Sequence, residues 1–186
     1  TPGFLQAIKA ALAVGLKDTM TVAAIRAREH EIVPYAMRRL GAIPGVHLLA
    51  PAQQDRLAMH SFWIEGMHYN LVVRLLNDRF GVQARGGCSC AGTYGHYLLH
   101  VDPSRSKSIT DRIDAGDLSE KPGWVRLSFH PTTTTEELTR TMDAVEQIVR
   151  HGTEWARDYN YSPSTNEYAH HDGDADVRAR VASFYA

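Results

Sequence analysis

The chain has 186 residues, 44% of them apolar and 22% charged, with a formal net charge of −1. A near-neutral balance gives no electrostatic reason to bind nucleic acid or an anionic membrane, and no apolar run is long enough to span a bilayer. Only two cysteines occur, two residues apart, which is no disulfide framework and fits a reducing cytosol.

The length predicts one domain, or one domain with a tail, able to bury about 70% of the surface its unfolded form exposes. Phe4, Leu5, Ile8, Leu12 and Leu16 mark one stripe of a first helix, over 4–16. Its Ala-rich, weakly polar surface predicts burial on more than one side. Asp18 or Thr19 can cap a second helix from about Met20 to Leu40, which Pro34 should kink or divide. Strands are expected over 46–49 and 57–64. A helix follows over 69–80, closed by Gly81, and then a short strand over 82–85.

Gly86-Gly87 should break that strand and free the backbone for a tight turn. Cys88 and Cys90 come next, and a short helix is expected around 97–99. Polar residues 102–122 read as a surface excursion, with a short helix around 109–113. The strand 124–129 puts Val125, Leu127 and Phe129 on one face and Trp124, Arg126 and Ser128 on the other. The segment 132–135 offers a cap, and Glu136-Glu137 suits the start of a helix running to about Tyr159. Beyond it the sequence has no period, apart from a last short helix over 177–185. Short linkers and segregated helices imply an α+β fold, with helices packed on a small, mostly antiparallel sheet.

The chemistry-bearing groups cluster around that turn. Arg85, Gly86-Gly87 and the thiols place a fixed cation and a nucleophile at one sheet edge, and a nearby cation favours the reactive thiolate. The same residues also suit a plain turn with two small buried cysteines. Arg126 lies mid-strand on the polar face. A guanidinium there must reach water, an acid of a neighbouring helix, or a ligand carboxylate held by two parallel hydrogen bonds. His96 and His100 have metal-ligand spacing without an evident third ligand, His170-His171-Asp172 sits in a polar tail, and two thiols cannot close a zinc site. No metal is therefore expected.

Arg85, Gly87 and Cys90 match the Arg-x-Gly-x-x-Cys loop of class V aminotransferases and cysteine desulfurases, and the order of elements over 1–151 resembles the small C-terminal domain of these enzymes. The resemblance implies a pyridoxal 5′-phosphate (PLP) enzyme acting on an amino acid such as cysteine, as a cytoplasmic homodimer. By that resemblance Arg126 binds the substrate α-carboxylate, with Arg85 beside it. Cys90, or alternatively Cys88, accepts sulfur as a persulfide. Thr1 contacts the PLP phosphate of the partner subunit. None of Lys9, Lys17, Lys107 and Lys121 follows a strand beside Ser-x-His, as the family's cofactor lysine does. The chain then corresponds to the domain after that lysine, with 152–186 as helix end and extension, and by itself is expected not to turn over. Two other readings stand beside this one. The first is a thiol-redox or sulfur-carrying module resembling molybdenum-cofactor sulfurases. The second is a non-catalytic ferredoxin-like interaction domain.

Overall fold

A computed structural model describes residues 3–88, 92–173 and 182–183. Thr1, Cys90 and most of the helix expected over 177–185 lie outside the described residues. The elements in order are α1 (Phe4–Met20), α2 (Val22–Gly41), β1 (Val46–Leu48), β2 (Met59–Ile64), α3 (Tyr69–Phe80), β3 (Arg85–Gly87), α4 (Gly92–Leu98), α5 (Pro103–Asp114), β4 (Trp124–Ser128), α6 (Thr135–Trp155), β5 (Tyr159–Ser162) and β6 (Glu167–His170). A single 3₁₀ turn, Ala156–Asp158, joins α6 to β5.

The main sheet has the order β1-β2-β4-β3, with every pairing antiparallel. Alternation sorts its side chains. His60, Phe62 and Ile64 of β2 and Val125 and Leu127 of β4 turn inward and are buried. There they meet the apolar stripes of α2, α3 and α6, including Ile32, Leu40, Leu75, Leu76, Met142, Val145 and Ile148. Burying a side chain of this size contributes roughly 1.5–3 kcal/mol, so this layer is the chief source of stability. Helix α6 begins on a capping box: Thr134 Oγ1 accepts from Glu137 N, and Glu137 Oε2 accepts from Thr134 N. Arg39 ties α2 to α6 through Asp143 at 2.6 Å.

Several expectations change. The α1/α2 break falls at Thr21, which takes φ 61° and accepts from Ala24 N, rather than at Asp18 or Thr19. Pro34 does not divide α2, which runs on as one helix of 20 residues. Helix α1 is not buried: its apolar stripe is 55–73% exposed at Phe4, Leu5, Ile8, Leu12 and Leu16. The expected strand over 82–85 begins three residues later. Val82 N donates to Leu76 O, and Gly81 N donates to Asn77 O with Gly81 at φ 66°. These bonds close α3, so the backbone at Val82 serves a helix cap instead of a ladder. The excursion 102–122 contains a full helix, α5, started by Asp102, whose Oδ1 accepts from Ser104 N and Arg105 N.

The stretch after Tyr159 that lacks a sequence period folds as a β5–β6 hairpin on α3. Asn166, at its turn, is buried and donates through Nδ2 to Tyr69 Oη at 2.7 Å. Tyr159 Oη donates to Asp78 at 3.1 Å, and Arg79 pairs with Asp158 at 2.8 Å. Among the described residues no helix is long and apolar enough to cross a membrane.

Candidate active site

The outward face of the sheet carries the polar row anticipated from β4. Ser61, Arg126 and Arg85 stand directly across from one another on β2, β4 and β3. Two guanidiniums on adjacent strands repel, so this row costs stability unless an anion joins it. Arg126 is half-buried, and its Nε lies out of solvent contact with no hydrogen-bond partner. Among the described residues no carboxylate lies within ion-pair range of Arg126 or Arg85. Asp55, which precedes the cavity residue Arg56, is paired with Arg26 at 3.1 Å. A cavity of about 330 Å³ opens beside Arg126, lined also by Arg56, Leu57, Met59, Ser61 and Trp124. An unpaired, partly desolvated guanidinium at a cavity wall is suited to hold a carboxylate.

Strand β3 leads from this row into the thiol loop. The two glycines expected to break the strand are instead paired in it, Gly86 opposite Val125 and Gly87 opposite Trp124. They are needed for close approach. A Cβ on Gly86 would stand 3.0 Å from Tyr69 Cδ2. One on Gly123 would stand 2.5 Å from Tyr69 Cε1 and 2.8 Å from the Gly87 backbone. Gly87 also takes φ +103°, which a side chain would strain. Tyr69 is fixed by Asn166 and stacks on His68 with ring centroids 4.4 Å apart. Burial raises its hydroxyl pKa above the ordinary value. Gly123→Ala should therefore push Tyr69 or β3 aside and cost about 1–3 kcal/mol, read as a lower urea midpoint; an unchanged midpoint would contradict this packing.

Cys88 follows at once. It is half-buried, and a Cβ on Gly95 of α4 would stand 3.4 Å from Cys88 Cβ and 3.3 Å from the Trp124 ring. Arg85 thus stands opposite Arg126 on the neighbouring strand, and Cys88 follows three residues after Arg85, just beyond β3; neither Arg85 nor Cys88 lines the Arg126 cavity. Thr1 and Cys90 lie outside the described residues. His96 Nδ1 shares a hydrogen bond with Ser106 Oγ at 2.8 Å. Among the described residues no group of three His, Cys, Asp or Glu side chains could hold a metal ion.

Two features escaped the sequence reading. Arg56 reaches the cavity only because the loop before β2 folds back: its Nε donates to Gln53 O at 2.7 Å and its Nη2 to Ala50 O at 2.5 Å. No local motif signals that. His60 is fully buried and neither ring nitrogen has a partner. Its place at i−2 and i−4 from the core residues Phe62 and Ile64 was a signal available from alternation.

Residues 1–141 match the aminotransferase class-V family model, and the chain belongs to that family. Members of this family and cysteine desulfurases use PLP. The chain is 36% identical over 120 residues to a "probable cysteine desulfurase" of Halobacterium salinarum, covering 62% of this chain and 28% of that protein. It is 33% identical over 119 residues to "probable cysteine desulfurase 2" of Mycobacterium leprae, covering 63% and 28%. Among solved structures, a cysteine desulfurase of Escherichia coli superposes with TM-score 0.55 at 17% identity, over 81% of this chain and 31% of that one. One from Thermococcus onnurineus gives 0.57 at 22%, over 81% and 32%. These two likenesses establish the fold, helices on a small antiparallel sheet. The matched stretch spans less than a third of each of these relatives.

The described residues do not fit as the covalent holder of PLP. Lys9 and Lys17 are exposed on α1, Lys107 is exposed and paired with Asp111 at 2.7 Å, and none of the four lysines lines the Arg126 cavity.

Proposed function

We propose that the chain is the small domain, over 1–151, of a PLP-dependent cysteine desulfurase-like enzyme, with 152–186 as the end of the last helix and an extension. Arg126 holds the α-carboxylate of an amino-acid substrate such as cysteine, and Arg85 adds positive field across the strand pair. Cys90 is the thiol that accepts sulfur, with Cys88 as the alternate. Thr1 contacts the cofactor phosphate in a homodimer. The cofactor itself is held by residues outside this sequence, so the chain alone does not turn over.

One observation carries this reading. Arg126 is half-buried at a cavity wall with an unpartnered Nε and no acid among the described residues to neutralise it. Such a group is expensive to keep unless a ligand anion completes it. The comparisons support cysteine desulfurase over other class V activities, since the relatives it matches carry that name.

Mapping the persulfide tests the thiol assignment. After turnover of cysteine by the PLP-loaded enzyme, peptide mass analysis should find one added sulfur on Cys90. Cys88→Ser should retain the adduct and Cys90→Ser should lose it. An adduct confined to Cys88, or a reversible Cys88–Cys90 disulfide as the only product, would overturn it and favour a thiol-redox module.

A further inference from the structure

We propose that Arg56 is a second anion-reading guanidinium in the Arg126 cavity, so that the cavity prefers a small ligand with two anionic groups to one with a single carboxylate. This rests on the carboxylate role given to Arg126 and extends it to the part of the ligand facing the β2 loop.

The argument starts from charge. Two guanidiniums, from β4 and from the loop before β2, line one cavity of about 330 Å³, and among the described residues no Asp or Glu lines it. The adjacent acid, Asp55, is drawn away to Arg26 at 3.1 Å. The only hydrogen-bond partners of the Arg56 guanidinium among the described residues are neutral carbonyls, Gln53 O and Ala50 O. Those bonds use two of its five N–H donors and leave the charge uncompensated. They also hold the fork in place before any ligand arrives, which lowers the entropy lost on binding. The field of Arg56 is felt through the sheet, where it adds to burial in lowering the pKa of His60.

Shape agrees with charge. Leu57, Met59 and Trp124 supply apolar lining for the same cavity, and Ser61 adds one hydroxyl. Leu57 and Met59 are 54% and 42% exposed, an apolar patch at the mouth. An apolar strip with a guanidinium from each of two elements matches two anions joined by a short hydrocarbon spacer. A monocarboxylate satisfies only one of the two cations.

The test is a calorimetric titration of this chain at constant ionic strength with propanoate and with succinate. Constant ionic strength matters because salt screens exposed charges. Wild-type protein should bind succinate about tenfold tighter than propanoate. Arg56→Gln should reduce that ratio to about twofold, the statistical factor for two equivalent carboxylates, and weaken propanoate much less than succinate. Arg56→Lys keeps the charge and should keep part of the preference, which guards against a loop collapse in the Gln variant. Arg126→Gln should weaken both acids. Saturable propanoate binding without a succinate preference, or a preference that survives Arg56→Gln, overturns the role of Arg56 and leaves that of Arg126 standing. Failure of both acids to bind overturns the two together.

Discussion

Arg126→Gln will lower kcat/KM for cysteine about 10²–10⁴-fold in the PLP-loaded enzyme containing this domain, with little change in stability. The estimate follows from losing two parallel charge-assisted bonds, each contributing roughly 1.5–3 kcal/mol. Arg126→Lys restores the charge but not the fork and will recover only part of the loss. The stability half of the prediction is as informative as the kinetic half. If an internal acid locked Arg126, Gln would strand a partly buried carboxylate and cost about 3–5 kcal/mol. Among the described residues no such acid exists, and Arg126 Nε is already without a partner. A thermal melt within a few degrees of wild type, beside the kinetic loss, is the expected pair of results. A collapsed melt would indicate a structural role.

The second large effect is on acid stability, through His60. This ring is fully buried in β2, both nitrogens lack partners, and Phe129 lies at 5.9 Å between ring centroids. Burial, and then the charge of Arg56, lower its pKa from 6.5 to about 4. The folded protein therefore keeps the ring neutral where the unfolded chain would protonate it. Stability is fully present above pH 6.5 and falls as pH drops from there through about 4. The whole window is worth about 3 kcal/mol, from roughly 1.4 kcal/mol per pKa unit. Exposed carboxylates also contribute: Asp102, Asp117 and Glu137 have pKa values lowered by hydrogen bonds to Ser104, Ser119 and Thr134, and they lose that stabilisation in acid. The comparison with His60→Leu removes their share. Urea unfolding of wild type should lose about 2–3 kcal/mol more than His60→Leu between pH 7.5 and 4.5; equal losses would contradict the assignment.

Much of this was legible in the sequence because local signals and tertiary packing agreed. Helix α3 was readable over its full span, since its apolar stripe, its Gly81 stop and its buried face coincide. Strand β4 was readable because strict alternation set Arg126 against Val125 and Leu127. Where two local demands competed, the reading failed. Gly86-Gly87 read as a turn because glycine usually punctuates a strand, yet here it lets β3 lie against Tyr69 and Asn70. Helix α1 read as buried because its stripe is apolar, but nothing among the described residues covers that stripe. The hairpin after Tyr159 was hidden because its strands are short and polar, and its anchor is one asparagine, Asn166, bonded to a tyrosine 97 positions earlier. The candidate site divides the same way. Arg126, Arg85 and Cys88 were marked by local order, whereas Arg56 enters only through a loop conformation that no local pattern encodes.

Nuclear magnetic resonance of the Arg126 Nε–H during a titration with L-cysteine is the most direct probe of the central claim. That proton has no acceptor among the described residues, so a carboxylate arriving in the cavity should shift it saturably, and the shift should vanish from the spectrum of Arg126→Gln. A resonance that stays fixed under cysteine, or that moves equally with sodium chloride, would contradict a guanidinium kept open for substrate.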